Sequence, residues 1–155
     1  MAFERVKHEY IPDAGSGCCV YFVQQGANGP IKIGRSNFSD IRVRVSSLQV
    51  GNPQKINLIG CFAAIPAYEL VLHRIFEDAR IRGEWYTPTQ DLLDIIEMVR
   101  NKDIIPLLGM LHNMQLIYGI QNTAPNRRDW GYSHSRQFTK EKKKLAAYID
   151  RIVGA

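Results

Sequence analysis

Alternating apolar and polar positions near the start of the chain predict a β-hairpin. Cys18 to Gln24 is rich in β-branched and aromatic residues and predicts a strand, and Ile31 to Arg35 predicts the returning strand. The stretch between them, Gln25 to Pro30, contains two glycines and an asparagine, which are typical of turns. We therefore expect the two strands to pair in antiparallel fashion.

The pattern after the hairpin predicts a short helix and a third strand. Ile41, Val45 and Leu48 recur at helical spacing up to a stop at Gly51-Asn52-Pro53. Lys55 to Phe62 then reads as a strand. Its apolar positions, expected on one face, are Ile56, Leu58, Gly60 and Phe62.

Two further helices complete the pattern. One starts near Pro66 and is expected to run to about Arg80; its apolar positions are Tyr68, Leu72, Ile75, Phe76 and Ala79. Another fits Gln90 to Arg100, where apolar residues repeat every three to four positions. Between them, Gly83-Glu84-Trp85-Tyr86 predicts an extended connection.

The resulting order, β-β-α-β-α-α, predicts an α+β fold in which helices flank a small three-stranded sheet, antiparallel or mixed. Residues 1–17 end in turn-forming residues and predict a loosely held lead-in. The domain itself would comprise residues 18–102. Residues 103–155 would form a helical and basic extension, partly irregular.

The extension divides into three parts. Asp103 to Ile120 is apolar but contains Pro106 and Gly109, which predicts an interrupted helix. Gln121 to Thr139 predicts an irregular segment. Lys140 to Val153 predicts a basic amphipathic helix.

Composition restricts the class of protein. Apolar residues make up 45% and charged residues 23%, as in ordinary globular domains. We see no signal peptide and no apolar run of transmembrane length, so we expect a cytoplasmic protein, bacterial or from a phage-infected host, with no membrane partner. The three cysteines have no CxxC spacing, so neither a disulfide framework nor a structural zinc site is indicated, and Cys18 and Cys19 are expected to be buried and unreactive.

The net charge of +5 is concentrated at the end of the chain. Residues 1–126 contain twelve basic and twelve acidic residues, whereas residues 127–155 contain eight basic and three acidic ones. A basic segment is the footprint of a polyanion binder. The expected phosphate contacts are Arg127, Arg128, Lys142, Lys143 and Lys144. A solvated tail that only keeps the protein soluble is the alternative interpretation.

Polar residues at positions where packing favours apolar ones are candidates for function. Arg44 falls on the apolar stripe of the first helix, where a guanidinium needs an anionic partner; a structural salt bridge would also explain it. Lys32 lies in the second strand, where it is either functional or the protective lysine of an edge strand.

Glu69 and His73 are one turn apart on the second helix. A solvated glutamate beside a satisfied core histidine is one interpretation. The other is a site for a hard cation such as Mg²⁺, which is typically held by one or two carboxylates together with phosphate and water.

These residues resemble the GIY-YIG nuclease superfamily over about residues 18–99. The likeness lies in Cys19-Val20-Tyr21, followed after ten residues by Lys32-Ile33-Gly34, and then in Arg44-Val45-Ser46-Ser47 and Glu69. The further motifs Gly51-Asn52-Pro53 and Gly83-Glu84-Trp85-Tyr86 resemble a branch that is common in bacteriophages. Lys32 stands where the family name has its second tyrosine, and Cys19 stands at the first glycine.

The resemblance implies that Tyr21, Arg44 and Glu69 surround a scissile phosphate. Glu69 would hold Mg²⁺ or Mn²⁺, Tyr21 would orient or deprotonate the attacking water, and Arg44 would stabilise the charge on phosphorus. A phenol can act as a base only if cations lower its pKa, and Lys32 is a candidate for such a cation. We include His73 in the catalytic set, and Glu84 or Tyr86 would fill the place of an asparagine found in many members.

The function expected from this resemblance is a metal-dependent endonuclease that hydrolyses phosphodiester bonds of DNA, with RNA left open. Arg35 and Arg42, which lie beside the motifs, would add nucleic-acid contacts. Two alternatives remain: an inactive nucleic-acid-binding module, and a phage-type protein interaction factor that uses the apolar segment 103–120. The sequence also allows a homodimer.

Overall fold

The computed structural model describes residues 18–120. The predictions for residues 1–17 and for everything after residue 120 lie outside the described residues. The strands are β1 (Cys18–Gln25), β2 (Ile31–Asn37), β3 (Ile56–Ala63), β4 (Arg80–Arg82) and β5 (Trp85–Tyr86). The helices are α1 (Ile41–Gln49), α2 (Pro66–Ile75), α3 (Gln90–Arg100) and α4 (Ile104–Tyr118), with 3-10 turns at Phe38–Asp40 and Glu77–Ala79.

One antiparallel sheet in the order β3-β1-β2-β5-β4 forms the centre of the fold, which confirms the α+β class. The expected count of three strands was wrong. The segment predicted as a connection, Gly83 to Tyr86, forms the turn and β5, and β5 pairs with β4 in a short hairpin that extends the sheet beyond β2. All three β4 residues are exposed, so they carry no apolar alternation from which a strand could be recognised.

The main core lies on the sheet face that α2, α3 and α4 cover. Val20 and Phe22 of β1 and Ile31 and Ile33 of β2 point into it and are fully buried. Because side chains alternate along a strand, the intervening residues point to the opposite face. There Cys19, Tyr21 and Val23 form a second, smaller core with α1.

A β-bulge between β1 and β3 changes which side chains of β3 point to each face of the sheet. The register with β1 shifts between Phe22 and Val23, so that Gly60 lies opposite the former and Leu58 opposite the latter. Ile56 and Leu58 therefore belong to the smaller core, whereas Phe62 belongs to the main one. Our expectation that the apolar positions of this strand share one face was wrong, because the extra residue of a bulge reverses the alternation.

The helix boundaries also differ in two places. α2 ends at Ile75 instead of near Arg80, because the chain turns there into the 3-10 segment that leads to β4. α4 is one continuous helix and not an interrupted one. Pro106 lies in its first turn, where a missing N–H costs no helical hydrogen bond, and Gly119 ends it in the left-handed conformation (φ 65°).

α4 is packed against the rest of the domain. It contacts α2 and α3, and Leu107, Leu111 and Met114 lie in the main core. Its opposite side leaves Ile105 and Leu116 exposed. None of the helices within residues 18–120 is long and apolar enough to cross a membrane.

The three cysteines are free thiols. Cys19 and Cys61 are buried and Cys18 is half-buried. Burial raises the pKa of Cys61 to about 11 and, with the neighbouring thiols adding to the effect, that of Cys19 to about 12. Such thiols stay protonated near neutral pH and are poor nucleophiles.

Candidate functional site

An open cleft of about 340 Å³ lies at the α1 side of the sheet and collects polar side chains from five segments of the chain. Its lining residues are Tyr21 of β1, Lys32 and Arg35 of β2, Arg44, Ser47 and Leu48 of α1, Glu69 of α2, and Glu84 of the β4–β5 turn. The sequence-predicted residues Tyr21, Lys32, Arg44 and Glu69 therefore meet in one place.

The ring of Tyr21 lies close to the sheet because residue 34 is a glycine and has no side chain in the way. The two residues are directly opposed in the β1–β2 register. A Cβ atom added at Gly34 would lie 2.9 Å from Cε1 of the Tyr21 ring and closer still to Cζ and the hydroxyl. Only glycine leaves room for the ring in this position, which explains the last residue of the Lys32-Ile33-Gly34 motif.

The phenol of Tyr21 is protonated in this environment. Burial raises its pKa above the ordinary value; the positive charge of Arg44 opposes the shift, and the negative charge of Glu69 adds to it. Desolvation disfavours the charged form of a phenol. In this state of the cleft the hydroxyl is a hydrogen-bond donor, not a base.

Glu69 is a buried carboxylate with two cationic or ionisable neighbours. Its Oε1 lies 3.2 Å from Nε2 of His73, and its Oε2 lies 3.7 Å from Nε of Arg35. The helical spacing of four residues places Glu69 and His73 side by side on α2. A buried carboxylate needs such partners, because an unpaired charge away from water is costly.

His73 lies behind Glu69 and is almost fully buried, with both ring nitrogens in contact with polar atoms. Nδ1 contacts the hydroxyl of Tyr86, and the two rings stack with centroids 5.6 Å apart. Tyr86 is itself fully buried. The Tyr86 contact fixes the ring so that Nε2 is directed at Glu69.

Lys32 forms an ion pair with Glu84. Both side chains are largely shielded from solvent, with exposed fractions of 13% and 17%. The hypothesis of an edge-strand lysine was wrong, because β2 lies between β1 and β5 and Lys32 is one of the residues that pairs with β5.

Glu69, His73 and Glu84 could hold a metal ion. One ligand atom from each residue lies within 4.8 Å of the other two. Two donors bound to one ion at about 2.1 Å lie at most about 4.2 Å apart, so a small inward movement would bring them into coordination distance. The set offers two carboxylates and one imidazole.

The exposure of Arg44 and the location of Arg42 differ from what the sequence predicted. Arg44 is exposed at the mouth of the cleft and has no ion-pair partner within residues 18–120, so neither a core-facing position nor a structural salt bridge accounts for it. α1 is oriented so that Ile41 is buried, whereas Arg44 lines the cleft. Arg42 is exposed but does not line the cleft, whereas Arg35 does.

Sequence reasoning did not assign Ser47 and Leu48 to the site, and it left Glu84 without a defined role. The first two follow Arg44 by three and four positions, so helical spacing alone would have placed them on its face. Glu84 sits in a turn whose position depends on the unpredicted hairpin. Arg127, Arg128, Lys142, Lys143 and Lys144 lie outside the described residues.

Comparison with protein-family models, with curated proteins and with solved structures found no match for this chain.

Proposed function

We propose that the protein is a metal-dependent endonuclease of the GIY-YIG type that hydrolyses phosphodiester bonds of DNA. The observation that carries the proposal is the convergence of Tyr21, Arg44 and Glu69 on one cleft. These residues lie on three different secondary-structure elements, and the resemblance assigns each a role at a scissile phosphate. An open cleft with guanidinium groups at its mouth suits a phosphodiester within a long polymer.

The charges of the cleft fit the demands of the reaction. In hydrolysis, a water oxygen bonds to phosphorus, the bond from phosphorus to the leaving oxygen breaks, and the water proton is finally taken up by the leaving alkoxide or by solvent. Negative charge grows on the phosphoryl oxygens. The guanidinium of Arg44, which has no anionic partner among residues 18–120, is placed to stabilise that charge.

Glu69, with His73 and Glu84, would hold Mg²⁺ or Mn²⁺. Such an ion supplies Lewis-acid polarisation of a phosphate oxygen when bound. The Tyr21 hydroxyl would donate a hydrogen bond to orient the substrate or the attacking water. Its service as a base requires added positive charge in the cleft, because burial alone holds its pKa too high.

A binding module that does not cut is the second candidate. The observation in its favour is that the carboxylates already have cationic partners: Lys32 neutralises Glu84, and Arg35 lies beside Glu69. A cleft whose charges are internally compensated has a weaker pull on a metal ion than one with free carboxylates.

Incubation with supercoiled plasmid in the presence of Mn²⁺ or Mg²⁺ separates the two candidates. The nuclease converts the plasmid to nicked and linear forms, and Arg44→Ala slows the conversion at least about 100-fold by removing charge stabilisation. Lys55→Ala, which removes an exposed cation outside the cleft, is the matched control and should cut at the normal rate. Salt-sensitive DNA retention without any metal-dependent product would refute the nuclease and favour the binding module.

A further inference from the structure

We propose that Glu84 is a metal ligand for which Lys32 is a built-in competitor, so that a divalent ion and the Lys32 ammonium are alternative partners of the same carboxylate. The proposal rests on the metal site of the proposed function but not on cleavage. It assigns to the β4–β5 turn a ligand that the resemblance to the nuclease superfamily does not supply.

The first argument is the position of Glu84. Its carboxylate enters the cleft from a turn that is distant in sequence from Glu69, yet the two lie within 4.8 Å of each other and of His73 through their ligand atoms. Two carboxylates at this distance repel each other unless positive charge is placed between or beside them. The pair therefore requires positive charge nearby.

The second argument is that a cation already occupies one side of this pair. The Lys32 ammonium contacts Oε2 of Glu84 and is mostly shielded from water. A shielded ammonium without an anionic neighbour is costly, so Lys32 and Glu84 stabilise each other while no metal is bound. A divalent ion carries twice the charge and attracts both carboxylates at once, so it can replace the ammonium.

The third argument is the orientation of His73. The contact of Nδ1 with the Tyr86 hydroxyl leaves Nε2 facing Glu69, which is one of the other two candidate ligands. Metal-binding histidines commonly hold their second nitrogen on such a partner, which fixes the ring before the ion arrives. His73 and Glu69 already lie side by side on α2 and would exchange their mutual contact for the ion, whereas Glu84 would have to leave Lys32.

The exchange has a consequence for Lys32. Once Glu84 turns to the ion, the ammonium loses that ion pair, and Lys32 lines the same cleft as Tyr21 and Arg44. The ammonium is then available to a phosphate group in the cleft. The lysine would then serve as a counter-ion of Glu84 in the metal-free protein and of phosphate in the loaded one.

The test is the affinity for Mn²⁺, measured from the electron paramagnetic resonance signal of the free ion during titration of the full chain. Glu84→Gln should weaken binding at least about 10-fold because a ligand is lost. Lys32→Met should tighten binding several-fold because the competitor is lost. Glu97→Gln removes a carboxylate on α3 outside the cleft and should leave the affinity unchanged.

A double variant distinguishes competition from simple charge repulsion. If Lys32 acts by occupying Glu84, Lys32→Met has little effect in the Glu84→Gln background, whereas general repulsion would act equally in both. Lys32→Arg, which keeps the charge, should bind Mn²⁺ within a few-fold of the unaltered protein. Should Glu84→Gln fail to fold, Glu84→Asp takes its place and should weaken binding by shortening the ligand.

The proposal is overturned if Glu84→Gln binds Mn²⁺ as tightly as the unaltered protein, or if Lys32→Met does not tighten binding. The Mn²⁺ affinities and the cleavage assay together test this competition separately from the proposed nuclease activity. Mn²⁺ affinities that follow the expected pattern without plasmid cleavage would leave this inference standing and remove the nuclease. Cleavage with an unchanged affinity in Lys32→Met would do the reverse.

Discussion

The ring of Tyr21 lies directly over the backbone of Gly34, in the space that any other side chain at that position would need. The two residues face each other across the β1–β2 pair, so the cleft depends on a small residue in one strand and a large one in the next. This relationship gives the glycine of the Lys32-Ile33-Gly34 motif a physical role, which is to let the phenol lie flat against the sheet.

Gly34→Ala should displace the Tyr21 ring and reduce plasmid cleavage at least about 10-fold, because small errors of placement are costly in catalysis. Mn²⁺ affinity should change little, since the three proposed metal ligands lie on other segments of the chain. Gly109→Ala is the matched control: an added Cβ there meets no atom within 4 Å, and alanine favours the helix by about 1 kcal/mol over glycine. Normal cleavage by Gly34→Ala would contradict the role assigned to Tyr21.

Tyr21→Phe removes only the hydroxyl and should lower the cleavage rate about 100-fold, as expected for loss of a group that positions or transfers a proton. The melting temperature should stay close to that of the unaltered protein because the ring still fills its site. Tyr68→Phe, which alters a half-buried tyrosine of α2 outside the cleft, serves as control. Equal rates for both variants would exclude a catalytic hydroxyl.

The imidazole of His73 should give the site a preference for Mn²⁺ over Mg²⁺, because Mg²⁺ favours oxygen ligands and imidazole favours first-row transition ions. Competition titrations should show this preference in the unaltered protein and a clear reduction of it in His73→Gln. A preference that is unchanged by the substitution would show that Nε2 does not bind the ion.

The free energy of unfolding should fall as the pH rises above about 9, because unfolded thiols with a pKa of about 8.5 lose protons that the folded chain retains. Burial raises the pKa of Cys61 to about 11, so its contribution is complete below the unfolded pKa and is lost as the pH rises toward that value. Urea unfolding at several pH values should show a shallower decline for Cys61→Ala. An identical slope would contradict the raised pKa.

Leu111→Ala should lower the free energy of unfolding by about 2–5 kcal/mol, the usual cost of a cavity at a fully buried leucine. Leu116→Ala, on the same helix but mostly exposed, should change it far less. Equal, small effects would mean that α4 is not part of the main core. Urea denaturation of both variants provides the comparison.

The sequence predicted correctly those helices and strands that show a clear local pattern of apolar residues. The α3 boundaries, Gln90–Arg100, match the prediction from the apolar repeat, and in the structure the Thr89 side chain caps the helix by accepting a hydrogen bond from the Leu92 N–H. The β1–β2 pairing was predicted from the β-branched and aromatic residues of the two strands and the turn-forming residues between them. The α+β class follows from these elements.

The structural features that the sequence pattern did not predict depend on contacts between residues that are distant in sequence. The bulge in β3 is set by pairing with β1, and the β4–β5 hairpin is stabilised by pairing with β2 and by burial of Tyr86 in the main core. Glu84 enters the cleft only because that hairpin exists. The orientation of Arg44 likewise depends on how α1 is rotated over the sheet, which helical spacing alone does not determine.

The proposed metal-dependent hydrolysis of phosphodiester bonds in this cleft depends most strongly on Glu69, the carboxylate proposed to hold the ion. The most direct measurement is the initial rate of plasmid cleavage in saturating Mn²⁺ by the unaltered protein and by Glu69→Gln, with Glu97→Gln as control. We predict cleavage by the unaltered protein and the control, and a loss of at least about 100-fold in Glu69→Gln with folding retained. No cleavage by the unaltered protein, or equal rates in all three, would show that the cleft is not a metal-dependent phosphodiesterase.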